Sequence, residues 1–401
     1  MMSSTNARGG IVSTDIDPFS DDALADPKPY EEALRELAPI VFLEKHGVFA
    51  SARYNEVHRV LNDWESFSST AGVGLYDIRK PEHARTPAKL LEMDPPDHTR
   101  FRSVHNKVLN PGFIRSLKES FARTAADVLE PLLDGSEIDG IREIAVAYPL
   151  AVFPDLIGVA KEGRENLLPA AALTFNGFGP DNDVLARSIE AGEAAQQWLL
   201  AQAMPGAAAE GGVASRVHEV AAETGLEPMD GTALVFGLLS AGLDTTMHAL
   251  GWALYLLASN PDQWEQLKAD PSLSRAAFEE AVRLGSPVKW FGRHATTDVE
   301  IGGVVLPEDS HVVVFLGAAN RDPRRWDEPE QYDISRSTSG HVGFGAGVHS
   351  CAGQMVARME GQSLLGAIAQ RAERLELRGE PTYDISNSLR GLHSLPLELI
   401  R

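Results

Sequence analysis

The 401 residues contain one cysteine, Cys351, in the run Gly343-Phe344-Gly345-Ala346-Gly347-Val348-His349-Ser350-Cys351-Ala352-Gly353. A single thiol excludes an internal disulfide, a CxxC zinc site and a cysteine-ligated iron–sulfur cluster, each of which needs several thiolates. By itself such a residue is more often a small buried hydrophobe than a ligand. Its neighbours point the other way. The glycines let backbone approach a flat cofactor and free amide N–H groups to face a sulfur anion, and Cys351 is expected to open a helix whose N-terminus favours negative charge. A phosphate-cradling loop is the competing interpretation of so many glycines, but neither Gly343 nor Gly345 begins a GxGxxG run and no GxxxxGK[ST] occurs.

The segment Phe344 to Gly353 matches F-x-x-G-x-H-x-C-x-G at every defined position, and in this the chain resembles the cytochromes P450. The resemblance implies a haem-thiolate monooxygenase: haem b with Cys351 as axial iron ligand, dioxygen as co-substrate, and a thiolate whose electron donation favours O–O cleavage. Other matches follow in the family's order. Ala241-Gly242-Leu243-Asp244-Thr245-Thr246 resembles the oxygen-activation motif, with Asp244 and Thr245 as a proton-delivering acid–alcohol pair and small Ala241 leaving room for dioxygen. Without the Cys351 signature, Asp244 would read as a salt-bridged core residue and Thr245 as a hydroxyl bonded to its own helix. Glu280-Ala281-Val282-Arg283 resembles the E-x-x-R pair, which Arg336 would complete as a buried structural triad. His98, Arg102, Arg293 and His349 match positions that hold haem propionates, which need cationic or N–H partners.

The likeness extends from about residue 15 to the end and is greatest to bacterial P450s that oxidise para-substituted benzoates, typically by O-demethylation of 4-methoxybenzoate. It implies an aromatic substrate packed by Leu91, Phe175, Phe178, Val288 and Phe291, with Ser240 and Ala241 above the haem. Arg85 matches an arginine that binds the carboxylate. Ala88, Phe236 and Gly237 stand where two serines and a second basic residue are expected, and a buried anion needs several partners. Two substrates follow: an aromatic acid held by Arg85, with Lys289 or Tyr76 assisting, or a neutral methoxyphenol or aldehyde. The sequence favours the acid. A non-catalytic haem-thiolate sensor is the alternative of another class, and the Asp244-Thr245 pair speaks against it.

These residues need a scaffold. Apolar residues at three- and four-residue spacing predict helices at about 98–132, 159–173, 183–203, 230–258, 261–284 and 351–371. Ile40 to Arg53 reads as a hairpin around His46-Gly47, followed by a helix at 55–62; Val299 to Val304, His311 to Leu316 and Leu395 to Ile400 read as short strands. The fold class is mainly α with small β-sheets, an α+β arrangement. The resemblance makes it a triangular prism of helices around a buried haem, with a long central distal helix. Residues 1–14 are expected to be a loose tail and 15–401 one domain, since no linker or repeat divides the chain.

Thr232 to Leu257, about 26 residues or roughly 39 Å of helix, is long enough to span a bilayer. Asp244 in its middle makes a core helix the better fit. No apolar stretch resembling a signal or anchor opens the chain, so a cytoplasmic location is expected. With 36 basic and 57 acidic residues, net charge −21, nucleic acid and anionic membrane are disfavoured partners. Electrons are expected from NAD(P)H through a separate ferredoxin reductase and an iron–sulfur ferredoxin, docked on a basic patch including Arg324, Arg325 and Arg358. A monomer is expected.

Overall fold

The computed structural model describes residues 4–6 and 10–401. Helices dominate, beside sheets of seven, three, two and two strands. The central helix is built in two parts, Pro228–Ala241 and Asp244–Ser259. It starts at Glu227, which makes a reciprocal capping box with Asp230, and Pro228 occupies the first turn, where its missing N–H costs nothing. Its apolar second half packs Leu250, Ala253, Leu254 and Leu257 into a core with Phe278 and Ala281 of the helix Ser274–Gly285 and Leu364, Leu365 and Ile368 of the helix Gln354–Arg371. This packing makes it a core helix: 61% of its most apolar window is buried within the molecule.

The seven-stranded sheet runs Ser4–Asn6, Val12–Thr14, Val41–Leu43, Val48–Ser51, His311–Phe315, Trp290–Ala295, Phe67–Ser68 in spatial order. The hairpin expected between 40 and 53 is there, pairing Val41 with Ala50 and Leu43 with Val48. Gly302 and Gly303, both at positive φ, turn the chain between Val299–Ile301 and Val304–Leu306. Trp290–Ala295 pairs antiparallel with His311–Phe315 and brings Phe291 and Arg293 to one face, since side chains two residues apart share a side.

Several boundaries differ from the sequence reading, for local reasons. The tail expected to be loose carries strands: Ser4–Asn6 pairs antiparallel with Val12–Thr14, which adds to Val41–Leu43 in parallel, and Ile11, Ser13 and Thr14 are buried. The expected helix 98–132 is three helices, Asp97–Val108, Pro111–Ser116 and Lys118–Leu129. It breaks where the Asn110 side chain caps the amides of Gly112 and Phe113 and Pro111 begins a new first turn. The span 261–284 divides at Asp270-Pro271 into Pro261–Ala269 and Ser274–Gly285. The helix expected from 159 begins at Leu167, after left-handed glycines at 158 and 163.

Candidate active site

The cysteine loop is a series of tight turns held from behind. Gly345 and Gly347 take positive φ, the Gly345 amide donates to the Val342 carbonyl at 2.8 Å, and the Cys351 amide donates to the Phe344 carbonyl at 2.8 Å. The Phe344 ring is covered by the Arg358 guanidinium at 4.3 Å. The following helix starts at Gln354, three residues later than expected, with Gly353 as its cap, so Cys351 precedes the helix and the Gly353 and Gln354 amides face its sulfur. Packing behind the loop desolvates the sulfur and pushes the Cys351 thiol above its ordinary value, although the residue's outer face is exposed, while those amides with Arg102 and Arg358 pull it down. The thiolate is the form a bound metal would stabilise.

The E-x-x-R helix supports this loop. Arg283 makes two bonds of 2.7 Å to Glu280, both side chains fully buried, and Arg336 donates to Glu280 at 3.0 Å. Arg283 also donates to the carbonyls of Asn320 and Pro329. Asn320 passes the order on, accepting from the Val342 amide at 2.8 Å. The three residues form the triad that the sequence predicts, and it satisfies every charge it buries.

At the break of the central helix, Gly242 and Leu243 leave the helical pattern, and hydroxyls replace amides as donors: Thr245 to the Ala241 carbonyl at 2.8 Å and Thr246 to that of Gly242 at 3.1 Å. Gly242 is required here, because a Cβ would strike the Phe153 ring at 2.5 Å. Ala241 and Cys351 are exposed although Leu239, Ser240, Leu243 and Asp244 are buried, so both border open space. Asp244 points along the helix to His248, 3.2 Å away. The structure places this carboxylate beside an imidazole.

His98, Arg102, Arg293 and His349 converge. The His98 and His349 rings lie 4.5 Å apart, and His349 Nε2 is 3.1 Å from the Ser69 hydroxyl and 3.7 Å from Asp94. Arg102 donates to the Ser350 carbonyl at 2.6 Å and Arg293 to that of Gly292 at 2.8 Å. Burial lowers His98 to about 4 and Arg293 to about 10. Nε2 of His98 is buried without a hydrogen-bond partner. An unpartnered imidazole nitrogen beside the buried Arg293 and half-buried Arg102 guanidinium groups fits the paired carboxylates of a haem. Cys351 would take the iron.

The expected aromatic wall also assembles. Phe175 meets Phe178 edge to face at 5.9 Å, and Phe178 meets Phe291 at 6.4 Å. Val288 packs in the same cluster as Phe291 and bridges to Leu389. Leu91 is half-buried, Gly237 is exposed on the central helix, and the Ser240 hydroxyl is turned back to the Gly237 carbonyl at 3.4 Å. What positions the phenylalanines was missed in the sequence: the segment Ser386–Leu389. Asn387 donates to the carbonyls of Asn176 and Pro180 and exchanges hydrogen bonds with Asn182, while Ser388 donates to the Phe175 carbonyl at 2.6 Å.

The anion site differs from expectation. Arg85 is bound at both ends by Glu92, at 2.7 and 2.5 Å, and the same carboxylate accepts from the amides of Val73 and Ala88. Lys289 donates to the Ser386 carbonyl at 2.7 Å, and burial pulls its ammonium down to about 7. Tyr76 stacks on His83 at 4.3 Å. None of the three offers an unengaged cation. The arginines expected to form a docking patch are likewise engaged: Arg324 with Glu36 and Asp322, Arg358 with Glu279, and Arg325 stacked on Trp326.

The family model "Cytochrome P450" matches residues 214–399. The chain is 49% identical over 391 residues to cytochrome P450 CYP199A2 of Rhodopseudomonas palustris, covering 97% of this chain and 95% of that one. It is 35% identical to cytochrome P450 107B1 of Saccharopolyspora erythraea, over 77% and 76% of the two chains. Among solved structures it is similar to cytochrome P450 CREJ in complex with (4-ethylphenyl) dihydrogen phosphate, with TM-score 0.82, 25% identity and coverage of 96% and 98%.

Proposed function

This chain belongs to the cytochrome P450 family and is a haem-thiolate monooxygenase, and from that premise we propose that its substrate is a small para-substituted aromatic molecule, oxidised at the para substituent. The edge-to-face wall of Phe175, Phe178 and Phe291 carries this reading, because a flat ring gains most from such surroundings. When bound, the haem supplies the iron at which dioxygen is activated for insertion of one oxygen atom. The chain's own residues do the rest. Cys351 holds the metal, and His98, Arg102, Arg293 and His349 hold the propionates. Thr245 and Asp244 move protons inward at the helix break, and the aromatic wall turns the ring so that its para group faces the metal. A para-methoxy substrate hydroxylated at its methyl carbon would collapse to a phenol and formaldehyde.

Of the two charge states, the geometry supports a neutral methoxyaromatic. Arg85 is already neutralised by Glu92, and displacing that carboxylate would leave it buried and unpaired. An aromatic acid remains the second reading, favoured by the aryl phosphate in the solved structure of the P450 named above. Electrons from NAD(P)H through a ferredoxin and its reductase, and a cytoplasmic, monomeric enzyme, complete the proposal. Titrating the ferric protein with 4-methoxybenzaldehyde and 4-methoxybenzoate, followed by the Soret shift that accompanies loss of iron-bound water, tests it. Tighter binding of the aldehyde is expected; tighter binding of the benzoate would make Arg85 the anion anchor, and no shift with either would exclude this substrate class.

A further inference from the structure

His248 lies one turn beyond Asp244, and its Nε2 sits 3.2 Å from Asp244 Oδ1, with side-chain exposures of only 10% and 12%. The other side of the imidazole rests on the C-terminal hairpin. Gly391 approaches so closely that any Cβ there would overlap Nδ1. From this contact the hairpin leads to solvent: the Asp384 amide donates to the Gly391 carbonyl at 3.1 Å, and the Asp384 carboxylate accepts from His393 at 3.0 Å, with side chains 38% and 73% exposed. The charged groups facing His248 are Asp244 from its own helix and Asp384 from the hairpin. Burial opposes its cation, but these two carboxylates outweigh burial and hold the imidazole above its ordinary range.

A buried carboxylate that hands a proton inward must be recharged from outside. Its partner here is a side chain able to gain a proton at one nitrogen and release one from the other. We propose that His248 is the positioning residue that recharges Asp244, with protons entering on the side of the hairpin Thr382–Ser394. Nδ1 takes a proton from water on the hairpin side, Nε2 releases one to Oδ1, and exchange with solvent restores the starting tautomer; no electrons move. The proposal rests on the reading that Asp244 and Thr245 deliver protons.

The test compares wild type, His248→Gln, Gly391→Ala and Asp244→Asn as holoenzymes with their redox proteins, measuring turnover, peroxide release, substrate affinity and solvent isotope effect. His248→Gln keeps a hydrogen-bond donor but cannot titrate, and Gly391→Ala displaces the imidazole without altering either acid or alcohol. Asp244→Asn should slow turnover on the order of a hundredfold and His248→Gln about tenfold. Both should show a raised isotope effect and unchanged substrate affinity, with Gly391→Ala shifting in the same direction. Histidine NMR of the ferrous carbonyl form should show His248 titrating above the ordinary range, and lower in Asp244→Asn. Wild-type turnover and isotope effect in His248→Gln, beside a slow Asp244→Asn, would overturn the role of His248 while leaving the acid–alcohol pair standing. Wild-type turnover in Asp244→Asn would overturn both.

Discussion

Glu92 decides what Arg85 can do. Its carboxylate accepts two guanidinium bonds and two backbone amides, so it fastens the segment 85–88 to Val73, whose carbonyl accepts from Gly292 beside Phe291. Glu92→Gln should keep an acceptor for only one of the two backbone amides while releasing the arginine charge, and benzoate affinity should rise about tenfold relative to benzaldehyde, the scale of one charge-assisted pair. Unchanged selectivity in an absorbance titration would show that Arg85 does not read the substrate. Thr245 supports a separate expectation. Thr245→Ala removes the hydroxyl that lies on the Ala241 carbonyl and should divert reducing equivalents to peroxide without loss of haem; full coupling of NAD(P)H to product would contradict its role.

At the scale of elements, most of what is legible in the sequence is local. The Cys351 loop, the E-x-x-R pair and Asp244-Thr245 are short motifs whose spacing is set by one turn or one helix, so sequence alone finds them. Even the Asp244–His248 contact is an i,i+4 relation open to such a reading. Asn387 is another matter. Its partner Asn176 lies 211 residues away, and no pattern in either segment announces the pairing. Helix boundaries failed where one capping side chain or one Asp-Pro pair divided a continuous apolar pattern, as at Asn110 and Asp270. Asn387→Ala should loosen the segments carrying Phe175 and Phe178, raising KM several-fold with little change in kcat if the substrate is bound more weakly throughout. A lowered kcat at constant KM would place this segment in the chemical step instead. In the core, Leu250→Ala on the central helix should cost about 2–5 kcal/mol in urea unfolding; a loss well below 1 kcal/mol would mean the site collapses around the cavity.

For the whole molecule, charge sets two limits. With Arg324 and Arg358 already paired, the arginines expected to dock a ferredoxin carry little free positive charge, so salt should affect electron transfer modestly. Acid stability follows from histidines that burial keeps neutral. Burial lowers His105 and His311 from 6.5 to about 4, and both ring nitrogens of His105 lack partners. The unfolded chain binds protons at these sites below about pH 6.5 and the folded chain only near pH 4, so stability must fall as pH drops through that window. Urea midpoints at pH 7 and 4.5 should show it, with a shallower fall in His105→Leu; an identical pH slope in that variant would refute the assignment.

The central claim is that one sulfur, Cys351, carries the metal on which the rest of the site depends. It is tested by reducing the purified holoprotein under carbon monoxide and recording the Soret band, in wild type and in Cys351→His. The wild type should give the red-shifted band of a carbonyl opposite thiolate, and Cys351→His the band of an imidazole-ligated haem at lower wavelength. The same band in both proteins, or an imidazole-type band in the wild type, would contradict the account.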